Sequence, residues 1–109
     1  MFDLRRAARL AVKLRAVYVT SDLVVDGVVD DLSRNGLFLH SSDCDDVGAT
    51  GQLHLRLPHG DTVQIDTEVV RVERRGGRRG MALRFADTGK WRHTLANFLM
   101  ERHHEICVY

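Results

Sequence analysis

The chain has 109 residues and a mass of 12.4 kDa, the length of one domain that can bury a core without disulfide staples. Its 44% hydrophobic and 28% charged residues exclude a disordered, collagen-like or disulfide-framework chain. Sixteen Lys+Arg against fifteen Asp+Glu leave +1, so no bulk charge demands a nucleic acid polymer or a membrane surface.

In chain order, a short charged N-terminus, Met1 to Arg9, precedes a β-branched run from Val12 to Val19. In that run Lys13 and Arg15 lie on the face opposite Val12 and Leu14. Ser21-Asp22 breaks the run. Val24 to Asp30 reads as a second strand, with Gly27 marking a bulge or a close backbone approach. A turn at Asn35-Gly36 leads into a third strand, Leu37 to His40. Residues 41–50 form a polar loop. Gln52 to Leu57 alternates, with Leu53, Leu55 and Leu57 inward and His54 and Arg56 outward. Pro58 to Asp61 is a turn. Thr62 to Glu73 is a long strand whose apolar phase runs through Val63, Ile65 and Val69, then shifts to Val70 and Val72. That shift predicts a bulge or bend of the kind a closing barrel needs. Gly76 to Gly80 reads as a hairpin tip and Met81 to Phe85 as the sixth strand. The period then changes. Trp91, Leu95, Phe98 and Leu99, with Met100 beside them, predict an amphipathic helix from about 88 to 103, capped by Asp87 or Thr88. Six strands and one terminal helix predict a small, mostly β fold: a six-stranded antiparallel barrel with a C-terminal α-helix.

No apolar run approaches the roughly 18 residues of a membrane span, and no signal-type apolar block follows the N-terminus, so a cytoplasmic protein is expected. Cys44 and Cys107 form no ligand-spaced set, and a reducing compartment would keep them as thiols.

Lys13 and Lys90 are the only lysines, so the positive charge is mostly guanidinium, a planar fork suited to anions. Two segments stand out. Arg5-Arg6-Ala7-Ala8-Arg9 contains RxxxR, Arg5 and Arg9. After 21 intervening residues comes Asp31-Leu32-Ser33-Arg34-Asn35-Gly36, which contains DxSxxG. Separately, these are a solvated basic terminus and an Asx or Ser turn. In this order the pair resembles the PilZ family of bacterial cyclic di-GMP receptors, and the resemblance extends over nearly the whole chain. It implies a six-stranded PilZ-like split barrel, and it divides the chain into a flexible ligand-clamp segment (1–10), a barrel (11–86) and a helix (87–103).

The residue types suit that ligand. A guanidinium pairs with a phosphate or with guanine O6 and N7, and its flat face stacks on a base. The resemblance implies that Arg5 and Arg9 grip phosphate and guanine, and that Asp31, Ser33 and Gly36 form the floor. Asp31 would accept from guanine N1–H and N2–H2. Ser33 would bond the same edge, and Gly36 would let the backbone turn sharply and the ligand approach. Arg6 and Arg34 are further candidate contacts. An N-terminal segment of this kind frays unless tied down, so residues 1–9 are expected to order on binding. Family members bind one ligand or a stacked pair. Leu4 before RxxxR, where another arginine would favour the pair, points to one.

The output would be intermolecular, through a protein partner, in motility, pili, polysaccharide or transcription control. The competing reading is a PilZ-fold adaptor that binds proteins and not the nucleotide. An oligonucleotide-binding barrel is disfavoured by the 6% aromatic content. No nucleophile sits with an evident base and no glycine-rich loop opens a helix, so an enzyme is not expected, nor is a cofactor. Asp43, Asp45 and Asp46 lack the pattern of a calcium loop, and His103, His104 and Cys107 are too bunched for structural zinc, so no metal is expected. Arg74, Arg75, Arg78 and Arg79 crowd the hairpin around Gly76-Gly77 and read as a solvated turn, or as a phosphate or partner contact.

Overall fold

Alternation of inward apolar and outward polar residues makes six strands: β1 (Leu10–Val19), β2 (Val24–Leu32), β3 (Gly36–His40), β4 (Thr50–Arg56), β5 (Thr62–Arg75) and β6 (Arg78–Phe85). One helix follows, α1 (Trp91–Cys107). The computed structural model describes residues 10–86, 89 and 91–107, with side chains as far as Glu101. All strand pairs are antiparallel, and the sheet closes on itself in the order β1-β2-β3-β6-β5-β4. Closure gives every strand two neighbours, although residues 10–15 of β1 have no partner on β4 and residues 71–75 of β5 pair with β6 alone. The seam is short: Ala16 to Val19 of β1 pair with Leu55 to Gln52 of β4.

The inward faces supply the core. Tyr18, Val29, Leu32, Leu39, Leu53, Leu55, Ile65, Val69 and Met81 are fully buried. Each large apolar side chain removed from water contributes roughly 1.5–3 kcal/mol. The two ends of the barrel are closed differently. At the helix end, Trp91, Leu95 and Phe98 join the core, α1 lies against β5 and β1, and Trp91 meets Phe85 edge-on at 5.3 Å. At the opposite, hairpin end, residues 41–49 fold over the mouth. The buried Tyr18 hydroxyl donates to Asp45 Oδ2 at 2.8 Å, and the Asp45 amide donates to Met81 Sδ at 3.4 Å. Cys44 and Ala49 pack beneath on the core. Burial, then the hydrogen bond and negative charge of Asp45, hold the Tyr18 phenol well above its usual ionisation range.

Several boundaries differ from the sequence reading. β1 begins at Leu10, because Leu10 and Ala11 pair with Leu32 and Asp31 across a bulge that the alternation hides. β5 runs to Arg75 and β6 starts at Arg78, so the hairpin tip is only Gly76-Gly77, and Arg78, Arg79 and Gly80 belong to a strand. The phase shift in β5 is a bulge between Val69 and Arg71. Val70 is the extra residue and faces solvent, contrary to its expected inward phase. Gly27 marks a close approach and not a bulge: a Cβ there would meet the His40 carbonyl oxygen at 2.3 Å. α1 starts at Trp91, three residues later than expected, and continues to Cys107. The expected caps, Asp87 and Thr88, lie outside the described residues. Met100 is exposed and lies off the buried stripe. Among the described residues, no helix is long and apolar enough to cross a membrane.

Candidate functional site

The DxSxxG segment is the β2–β3 connection at the helix end. Asp30 and Asp31 of β2 stand against the single residue Phe38 of β3, because the register passes from Val29–Leu39 to Leu32–Leu37. A bulge of this kind re-aims a side chain that an ordinary pleat would point elsewhere. Asp31 is half-buried and lies opposite Ala11 of β1. Leu32 returns to the core.

Ser33 is buried and organises the turn. Its Oγ donates to the Gly36 carbonyl at 3.2 Å and accepts from the amides of Asn35 at 3.2 Å and Gly36 at 3.3 Å. Its own amide donates to the Gly36 carbonyl at 3.1 Å. The hydroxyl expected to meet a base edge is therefore engaged with its own backbone. The turn is also fastened to β6, where the Phe85 amide donates to the Asn35 carbonyl at 2.8 Å. Arg34 and Asn35 are exposed on top of it.

Gly36 needs a different explanation from the expected sharp turn. Its φ is not positive. A Cβ would stand 2.3 Å from the Leu83 carbonyl oxygen, so the glycine lets β3 lie close against β6.

Arg5, Arg6 and Arg9 lie outside the described residues. The chain enters β1 at Leu10, which pairs with Leu32, the residue before Ser33. RxxxR therefore directly precedes a backbone position beside the DxSxxG turn. Beyond the turn on β6, Arg84 pairs in register with Gly36 and forms an ion pair with Glu68. Arg84, Thr67 and Phe85 help to line an open groove of about 740 Å³.

A second group of residues escaped the sequence reading. On the outer face of β3, Phe38 is buried although it points away from the barrel core. The Arg78 guanidinium lies 4.0 Å over its ring, and His40 meets the ring edge-on at 4.8 Å. His40 Nε2 is 3.0 Å from Asp30 Oδ1 but is not aligned for a hydrogen bond. Arg78 also approaches Glu73 at 3.4 Å. The signal was available: Phe38 and His40 alternate with Leu37 and Leu39, placing an aromatic pair on the outward face. Among the described residues, no three His, Cys, Asp or Glu side chains converge to hold a metal ion.

The sequence profile of the PilZ domain matches residues 3–101. No curated protein matches the chain significantly. Solved structures that resemble it include the following three. One is the inhibitor of motility MotI/DgrA of Bacillus subtilis, with 17% identity and a TM-score of 0.75 over 95% of this chain and 53% of that one. Another is YcgR of Escherichia coli in complex with c-di-GMP, with 15% identity and a TM-score of 0.78 over 94% of this chain and 47% of that one. The third is the PilZ domain of CeSA from a cellulose-synthesizing bacterium, with 18% identity and a TM-score of 0.64 over 89% of this chain and 99% of that one. At these identities the likeness is one of fold. The chain spans about half the length of the first two.

Proposed function

The chain belongs to the PilZ domain family, and from that premise we propose that it is a receptor for cyclic di-GMP whose bound form is read by a partner protein. The observation that carries this reading is the register Leu10–Leu32 and Ala11–Asp31. It sets the start of β1 beside the DxSxxG turn, so two sequence-distant motifs have one place to meet. The complex of YcgR with c-di-GMP, a relative in fold, supports the choice of ligand.

In this reading Arg5 and Arg9 hold the phosphates and a guanine edge with charge-assisted, bidentate contacts. Asp31, re-aimed by the bulge, accepts from guanine N1–H and N2–H2. Ser33 acts mainly by fixing the turn, and Gly36 by bringing β3 against β6. Arg34, exposed on the turn, and Arg6 add contacts. Ligand binding orders residues 1–9, and that new surface is the signal. The protein acts by binding and performs no chemistry, within a cytoplasmic signalling route of the motility or polysaccharide kind.

Calorimetric titration of cyclic di-GMP into the intact chain, with GTP as control, tests the proposal. Saturable, selective binding at one ligand per chain is the expected result. Two per chain would mean a stacked pair. No binding to cooperatively folded protein would overturn the receptor reading in favour of a nucleotide-free adaptor.

A further inference from the structure

The β5–β6 hairpin carries charges in an arrangement that its own fold does not satisfy. Arg74 pairs directly with Arg79, and Arg75 with Arg78. Like charges directly opposite across a ladder destabilise it. Glu73 meets Arg71 and Arg78. Among the described residues, no carboxylate comes within ion-pair distance of Arg74, Arg75 or Arg79. These three are exposed.

The opposite charge lies on the same end of the barrel. Residues 41–49 carry exposed Asp43 and Asp46, which likewise form no ion pair among the described residues. Asp45 is engaged by Tyr18. The loop and the β5–β6 hairpin flank a groove of about 550 Å³ lined in part by Asp46, Val47, Val72 and Arg74. Val47 is 63% exposed, and Val70, on the bulge beside the loop, is 44% exposed. The Gly48 amide donates to the Val69 carbonyl at 2.8 Å, which fixes the loop against β5. One end of the molecule thus presents a basic wall and an acidic wall, with the exposed Val47 in the groove between them.

We propose that this end is a self-complementary interface: a second copy of the chain docks on it about a two-fold axis, with the arginine hairpin of each copy over the Asp43–Asp46 loop of the other. An isologous contact requires one patch to carry both halves of every pairing, and this patch does. A polyphosphate or an anionic membrane would meet the loop carboxylates and Glu73 as repulsion. A copy of the chain presents both signs in the matching order. Burying Val47 at the centre and leaving the ion pairs at the rim is the usual division of an interface. The site is separate from the nucleotide reading, because Gly36 faces Arg84 at one end of β6 and the hairpin lies at the other.

Sedimentation analysis of the intact chain without nucleotide tests this. The wild type should dimerise with rising concentration at low salt. It should dissociate as salt rises from about 0.01 to 1 M, where the screening length falls from roughly 30 to 3 Å. Arg74→Glu with Arg79→Glu, and separately Asp43→Arg with Asp46→Arg, should each weaken the dimer by roughly tenfold or more. An equimolar mixture of the two reversed chains should restore it, because each reversed residue then faces an opposite charge. All four positions are exposed, and thermal melting of each variant checks that it is folded. A wild type that stays monomeric at low salt overturns the proposal. So does a dimer indifferent to either reversal, or a mixture of folded variants that fails to associate.

Discussion

Replacing Gly36 by alanine separates a ligand role from a packing role. The new Cβ would stand 2.3 Å from the Leu83 carbonyl oxygen and 3.3 Å from its carbon, whereas carbon–oxygen contacts settle at about 3.3–3.6 Å. β3 and β6 would have to part by roughly 1 Å where Gly36 pairs with Arg84 and Leu37 with Leu83. Leu37 and Leu83 are both buried, so the separation opens the core. Such overpacking costs about 1–3 kcal/mol. Stiffening of the unfolded chain by alanine offsets about 0.4–1 kcal/mol of that. From the middle of both ranges, the net loss is about 1–2 kcal/mol, a fall in Tm of roughly 4–16 °C for a domain near this size. Thermal unfolding followed by circular dichroism measures it, with Arg34→Ala as the exposed control on the same turn, expected within about 0.5 kcal/mol of the wild type. A Gly36→Ala chain that melts with the wild type while losing nucleotide affinity would refute the packing argument and return Gly36 to ligand approach alone.

Arg9→Ala should leave the melting temperature unchanged and weaken cyclic di-GMP binding by roughly 10- to 150-fold, the loss of one charge-assisted contact of about 1.5–3 kcal/mol; unchanged affinity by calorimetry would remove the clamp. Tyr18→Phe should destabilise the barrel by about 1–2 kcal/mol at neutral pH in urea titration, through the lost bond to Asp45. The Tyr18 phenol is raised above its ordinary value of 10.0, so its contribution is complete below that pH and declines as pH rises beyond it, because the unfolded chain releases the proton first. Tyr18→Phe should therefore flatten the alkaline limb of stability, and parallel profiles for the two proteins between about pH 8 and 11 would contradict this. Leu95→Ala, at a fully buried position of α1, should cost about 2–5 kcal/mol and loosen Trp91, the only tryptophan, as read by its fluorescence; a loss below about 1 kcal/mol would mean that the helix does not seal the core.

The strands were legible because each has one face in the core: the alternation from Leu53 to Leu57 maps directly onto β4 and the residue after it. The bulge in β5 was legible as a change of phase after Val69, although the residue it expels, Val70, is apolar and read as inward. Arg78 and Arg79 carry no strand signature, and only pairing with β5 makes them one. The closure of β1 on β4 joins segments far apart in sequence and leaves no local mark. At the site, DxSxxG was found from residue types, but its division of labour was not: the engagement of Ser33 with its own turn and the closeness of Gly36 to Leu83 are properties of the folded backbone. The seating of residues 41–49 over the barrel mouth was missed. An inward tyrosine was the available signal, since a buried hydroxyl requires a partner, and Asp45 supplies it.

The strand order β1-β2-β3-β6-β5-β4 is that of two three-stranded meanders laid edge to edge. Within each half, neighbours in sequence are neighbours in space. The β3–β6 and β1–β4 seams, the residues 41–49 between the halves, and α1, which lies against β5 and β1, join one to the other. Local pairings form early because they close small loops, so the seams are expected to close last. The barrel is then a clasp of two half-shells. A backbone cut at the exposed Ser42 would leave two pieces that each keep their own hairpins and can rejoin along both seams.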